Sequence, residues 1–398
     1  MKTVLKHVNP KPHIWAATLL MLATLIPNPS LAETPRTVQA WGGNGSGDLG
    51  IGNTSFGETL PQQVIDLSDV KAIAGGNFHS LALLTDGTLR AWGGNQQGQL
   101  GNGKTSGGEV TPVEVSRLIG VKAVAAGTHS LALVSIGRVA AWGDNSFGQL
   151  GNGNFDNSEI PKAVGGLPLQ ITDDAGVIAI AAGHAHSLAL LDDGTVFAWG
   201  RNIDGQLCDG TRLNRSTPVK SLFRNVKAIA AGETVSVALL TDGTVRTCGG
   251  SNVGQLGDGD ISLHHTTSPV FVQGLKNIQA IDAGEDHSLA LRADGKIFSW
   301  GLNNHGQLGD GTFVNRSTAV AVVDLSDAVE INAGGFHSLA LTGDGQVRAW
   351  GFNSTGQLGD GSFSDSAVPV VVLNETGSEA LKDVTALSAS SRSSFTLR

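Results

Sequence analysis

The chain repeats itself seven times, and a repeat of about 50 residues constrains a fold more than any motif inside it. WGGNGSGDLGIG begins at Trp41, WGGNQQGQLGNG at Trp92, WGDNSFGQLGNG at Trp142 and WGRNIDGQLCDG at Trp199. CGGSNVGQLGDG begins at Cys248, WGLNNHGQLGDG at Trp300 and WGFNSTGQLGDG at Trp350. The starts lie 51, 50, 57, 49, 52 and 50 residues apart. In most copies a second block, A-G-x-x-H-S-L-A-L, leads through an Asp-Gly turn into an alternating run that ends at Trp-Gly. Asp-Gly between two apolar runs is a hairpin signal. A further strand follows each glycine-rich loop, as in TPVEV (111–115) and VPVVVL (368–373). Each period thus holds four short strands and no helical pattern, and the long spacing into Trp199 comes from an insert at 165–176.

Four-stranded units in this number predict an all-β, seven-bladed β-propeller. The chain ends predict how it closes. The first copy starts late, at 37–42, without its A-G-x-x-H-S block, and LSASSRSSFTLR (387–398) supplies the missing half. One blade is therefore expected to be built from both ends, which leaves no open sheet edge at the ring's closure. Glycine, 55 of 398 residues, fits a chain with so many tight turns.

Residues 1–32 read differently. Lys2, Lys6 and Lys11 precede the apolar run 14–26, which is followed by PNPSLA. This is the order of a secretory signal peptide cleaved after Ala32; an uncleaved membrane anchor is the alternative, although the run is short for a span. The expected domains are a signal peptide at 1–32 and one propeller at 33–398, exported and monomeric, with no membrane contact after cleavage. Without those three lysines, 23 basic residues face 35 acidic ones. An acidic balance opposes binding to nucleic acid.

The W-G-x-N-x-x-G-Q-L-G-[DN]-G and A-G-x-x-H-S-L-A-L motifs resemble the regulator of chromosome condensation repeat family, across essentially the whole chain beyond residue 32. The resemblance implies a seven-bladed propeller. It implies less about function, because members include a chromatin-bound exchange factor for a small GTPase, a plant ultraviolet photoreceptor and a secreted bacterial β-lactamase inhibitor. Trp41, Trp92, Trp142, Trp199, Trp300 and Trp350 all occupy the Trp-Gly slot, so no tryptophan beyond residue 32 is left for a photoreceptor's chromophore cluster. The leading expectation is an exported, non-enzymatic protein-binding scaffold, inhibitor-like in the way it engages a partner through loops on one face. The alternatives are a guanine-nucleotide exchange factor and a glycan-acting propeller enzyme.

His79, His129, His186, His287 and His337 recur in one slot that holds Val235 and Ser393 in the other copies. Separate blades cannot bring them onto one metal ion, so they are expected as buried rings bonded to nearby backbone. No catalytic constellation, cofactor site or metal site is expected. Cys208 replaces a loop glycine and Cys248 a tryptophan in consecutive copies; they read as a disulfide between neighbouring blades or as two separate buried thiols.

GQLGNGKT (98–105) satisfies the pattern of a phosphate-binding P-loop. Its glycines belong to the repeat, however, and the residues after it read as a strand, where a P-loop needs a helix. Lys104 is instead a candidate residue of a partner-facing loop. The other candidates, chosen where the copies differ, are Phe155, Asp173, Asp174, Arg212, His264, His265, Phe313 and Phe363. The recurrence of the three phenylalanines favours packing; exposure would make them anchors for a partner.

Overall fold

The computed structural model describes residues 36–168 and 176–398. The expected signal peptide lies outside the described residues, as do Asp173 and Asp174. Seven four-stranded antiparallel sheets stand in a ring, numbered here as blades 1 to 7. Blade 1 joins Val38–Asn44 and Ser55–Gln63 to Ala386–Ala389 and Ser393–Leu397. Its central pairing sets Val38 opposite Leu397 and Gly42 opposite Ser393, so the two chain ends close the ring through a sheet ladder. Blades 2 to 7 span 70–114, 121–163, 177–220, 226–271, 278–321 and 328–371.

Each blade's innermost strand begins with a run rich in alanine, such as VKAVAA at Val121–Ala126. Small side chains let seven strands converge on a narrow shaft of about 190 Å³. Around one mouth of this shaft runs a circle of backbone hydrogen bonds from blade to blade. Asn77 N–H donates to Gly127 O, Thr128 to His184, His184 to Gly232, Glu233 to Glu285, Glu285 to Gly335, Gly335 to Ser390 and Ser391 to Gly76.

The repeat motifs form the seams between blades. In each Gly-Gln-Leu-Gly turn the glutamine carbonyl points at the next blade. Gln99 O accepts from both Trp142 Nε1 (2.9 Å) and Ser130 Oγ (2.8 Å). Ser130 Oγ in turn lies 2.7 Å from His79 Nε2. The serine hydrogen goes to the carbonyl, so His79 Nε2–H must be the donor in that last bond, which fixes the neutral tautomer. The same histidine–serine bond joins His129 to Ser187, His186 to Ser236, His287 to Ser338 and His337 to Ser394, at 2.6–2.9 Å. The rings are buried as expected, but their partner is a hydroxyl across the seam rather than nearby backbone. The turn's last glycine completes the fit: Gly101 has φ +65°, and a Cβ on it would lie 2.7 Å from Trp142 Nε1.

The loops carry a lock of their own. Asn95, fully buried, accepts from Leu100 N–H through Oδ1 and donates through Nδ2 to the Lys104 carbonyl. Asn44, Asn145, Asn202, Asn303 and Asn353 accept from the matching leucine in the same way, which accounts for the asparagine of W-G-x-N.

Burial lowers the native pKa of His79, His129, His186 and His337 to about 3, and of His287 to about 4. Below the ordinary imidazole pKa the unfolded chain therefore binds more protons than the native one. This contribution is fully present above about pH 6.5 and lost as pH falls toward 3. Denaturant midpoints measured from pH 7 to 4 should drop accordingly. His129→Ala should cost about 1–3 kcal/mol at pH 7 and flatten that dependence.

Candidate functional site

The loops between the third and fourth strands of every blade share one face with the shaft mouth just described. Asp-Gly hairpins, and the connections from one blade to the next, lie on the opposite face. Gly98 to Thr105 joins Leu89–Asn95 to Ser106–Glu114, strand to strand, with no helix to receive a phosphate. Lys104 is exposed and pairs with Glu109 at 3.1 Å. Phe155, Phe313 and Phe363 project from equivalent loops with 54%, 56% and 53% of their surface exposed. The packing role that recurrence favoured is thus at most partial, although Phe363 meets Phe56 at a ring-centroid distance of 6.3 Å. Arg212 is exposed, with its Nε on the Ile203 carbonyl.

His264 has a structural partner that the sequence reading missed. Arg215 and Arg316 open the outer strands of blades 4 and 6 and clamp their own loops, Arg215 to Asp209 at 2.8 Å and Arg316 to Asp310 at 2.7 Å. His264 opens the outer strand of blade 5 at the same spacing and bonds Asp258 at 3.0 Å. Burial works against its charge, but bonds to the Ser262 carbonyl and the Asp258 carboxylate outweigh it and raise its pKa. His265 Nδ1 lies 3.4 Å from Asp204 of the neighbouring blade. Aligning the six residues after each [DN]-G against the arginines would have revealed this slot.

Blade 5 departs from the repeat at linked positions. Cys208 and Cys248 form a disulfide across the seam between blades 4 and 5, with Cα atoms 6.0 Å apart. Cys208 takes the glycine slot at φ +55° and Cys248 the tryptophan slot opposite. Phe223, which replaces the usual leucine, is buried in the same cluster and fills volume the missing indole leaves. Val235 stands where the histidine should be, and the Ser288 hydroxyl facing it has no partner among the described residues.

The shaft wall holds two carboxyls absent from the candidates. Asp282 Oδ2 accepts from Ala333 N–H at 2.8 Å, and Glu330 Oε1 from Leu387 N–H at 3.1 Å. Burial raises Asp282 to about 6 and, with Asp282 nearby, Glu330 to about 8. Among the described residues no three His, Cys, Asp or Glu side chains are grouped to hold a metal ion, and no helix is long and apolar enough to cross a membrane.

The model for the RCC1-like domain matches residues 156–398. Models for the regulator of chromosome condensation (RCC1) repeat match 37–83, 70–99, 86–134 and 121–149. The chain belongs to the regulator of chromosome condensation repeat family. It is 37% identical over 276 residues to the probable E3 ubiquitin-protein ligase HERC6 of Homo sapiens, covering 68% of this chain and 17% of that protein. It is 32% identical to the ultraviolet-B receptor UVR8 of Arabidopsis thaliana, covering 73% and 54%. It is also 32% identical to the secretion-regulating guanine nucleotide exchange factor of Bos taurus, covering 71% and 52%. The chain thus spans about half or less of these relatives. Among solved structures, yeast RCC1 (Prp20) bound to Kap60 superposes with a TM-score of 0.83 at 25% identity, covering 100% of this chain and 96% of that one.

Two outcomes are expected from these packing arguments. Reducing the disulfide should destabilise the protein by about 4 kcal/mol, the chain-entropy value for such a loop. Cys208→Gly/Cys248→Trp should be overpacked against Phe223, and adding Phe223→Leu should raise its unfolding midpoint. Separately, Glu330 has a native pKa above its unfolded one, so its contribution is lost as pH rises through about 8. Glu330→Gln should remove this loss, read as the change in thermal midpoint between pH 5 and 8.

Proposed function

We propose that this protein is a non-enzymatic binding scaffold, exported from the cell, that engages a protein partner with the face carrying the third-to-fourth-strand loops. One observation carries the reading: the repeated polar residues are consumed by the seams and loop locks, while exposed large apolar side chains gather in the variable loops of one face. Polar groups already bonded inside a scaffold are poor candidates for catalysis, whereas exposed aromatics on rigidly held loops suit a protein interface. Export rests on the order of residues 1–32, and a buried disulfide suits an oxidising compartment. The scaffold reading also agrees with a relative described by what it binds: yeast RCC1 (Prp20), with Gsp1p and histones in one structure and with Kap60 in another. The ligase relative is matched over only 17% of its length, so ligase activity is not carried over to this chain.

Guanine-nucleotide exchange is the second reading. It is favoured by the full-length likeness to yeast RCC1 (Prp20) and by the exchange-factor relative. Affinity capture from the exported fraction of the source cells, followed by cross-link mapping, separates the two. The scaffold reading expects an exported protein cross-linked to the loop face, with capture lost in Phe155→Asp/Phe313→Asp/Phe363→Asp. Cross-links confined to the Asp-Gly hairpin face would refute the assignment of the face. Accelerated nucleotide release from a small GTPase would replace the scaffold reading with exchange.

A further inference from the structure

The loop face combines two properties that together define a partner. The first is an apolar crown. Phe56, Phe155, Leu213, Leu263, Phe313 and Phe363 come from six different blades and are between 53% and 74% exposed. On the opposite face the exposed large apolar residues among those described, Ile119, Ile178, Leu222 and Phe271, are scattered over blades 4 and 5 and the connections that follow the outer strands of blades 2 and 4, and the Phe271 ring is covered by the Arg246 guanidinium.

The second property is charge. Most cations of the loop face are already neutralised within it. Lys104 pairs with Glu109, Arg201 with Asp204, Arg215 with Asp209 and Arg316 with Asp310. Arg392 is drawn to Asp48. Arg212 and Arg392 make no ion pair among the described residues. Many carboxylates on this face have no such compensation: Glu233, Glu285 and Asp286 beside the shaft mouth, and Asp156 and Asp360 on the loops, while Asp260 has only the long contact to His264 at 3.9 Å.

The opposite face is balanced. Lys71, Lys122 and Lys227 sit at the starts of inner strands, and Arg90, Arg246 and Arg348 at the starts of third strands. These positions border the Asp-Gly hairpins, where hydrogen bonds from Thr88 and Thr244, with a smaller attraction from Arg90 and Arg246, lower the carboxyl pKa of Asp86 and Asp242. The chain's negative excess is therefore concentrated around the apolar crown.

We infer that the partner of the loop face is a cationic protein surface bearing apolar side chains. The inference rests on the loop face being the binding face. An uncompensated anionic face attracts and orients a lysine- or arginine-rich surface and repels acidic ones. The crown supplies apolar anchors that a small polycation would leave unused. A second copy of this chain would bring the same negative face against itself, so like-charge repulsion opposes face-to-face pairing.

The test uses the full chain and two synthetic probes, a Lys-Trp-Ser peptide and its Glu-Trp-Ser counterpart, with binding read by fluorescence anisotropy. The lysine peptide should bind, weaken about tenfold between low and high salt as charges are screened, and be preferred over the glutamate peptide at every salt concentration. Asp156→Asn/Asp260→Asn/Asp360→Asn should weaken it about tenfold. The equal-charge control Asp86→Asn/Asp242→Asn/Asp344→Asn on the opposite face should change it less than about twofold. Phe155→Ser/Phe313→Ser/Phe363→Ser should weaken it at high salt, where the electrostatic contribution is screened. Equal losses from the two Asp→Asn sets, no binding, or preference for the glutamate peptide would overturn the inference. A captured natural partner that cross-links to the loop face through an acidic surface would overturn this inference alone. One that cross-links only to the hairpin face would overturn the reading beneath it.

Discussion

The carbonyl of Gln99 accepts two hydrogen bonds from the next blade, one from an indole and one from a serine that is itself held by a histidine. This junction recurs around the ring, and the molecule depends on it because no continuous sheet joins one blade to another. Sheet ladders hold each blade internally, and blade 1 makes the chain's two ends part of one such ladder. Between blades the attachment is side-chain packing, the glutamine junction and isolated backbone bonds: one per seam at the shaft mouth, one from a loop glycine to the next outer strand, as from Gly103 N–H to Glu159 O, and at most seams one on the opposite face, as from Val121 N–H to Gly87 O. A buried carbonyl with two donors is fully satisfied, and removing either donor leaves buried polar groups to be accounted for.

Blade 5 shows what the junction tolerates. A disulfide takes the place of the indole–glycine contact, phenylalanine restores volume, and the Ser288 hydroxyl is left without its histidine. A covalent link at the seam offsets the loss of directional bonds there. Blade 5 is also where a histidine, rather than an arginine, clamps the loop, so its loop alone among these three clamps is held by a group that can give up its charge, although the bonds to Asp258 and the Ser262 carbonyl favour the charged form.

The scaffold and the working face make different demands on residues. Trp142, His129 and Asn145 are wholly buried and bonded; the loops they hold in place are free to vary at their tips. That separation makes the fold a platform: Phe313 and Arg212 are displayed by loops whose bases are locked, so a partner would meet them with little ordering left to do.

Periodicity made the seven blades, the four strands in each and the ring closure legible, because equivalent positions recur at one spacing and strand alternation shows locally. It also marked His79 and Trp92 as structural, whereas the loop lock made by Asn95 came only from the structure. It did not show that the histidine's partner is a serine across a seam, since a repeat reveals which residues are equivalent and not which neighbours touch. The same limit hid the clamp made by His264 and the two shaft carboxyls, Asp282 and Glu330, whose shifted ionisation comes from convergence of strands far apart in the chain. Net negative charge was evident from composition, but its concentration around the apolar crown was not. Sequence determined the blade by local pattern. Only the closed ring decided which side chains face one another, which carboxyls lose their water, and which face is left acidic, because all three depend on distances between residues of different blades.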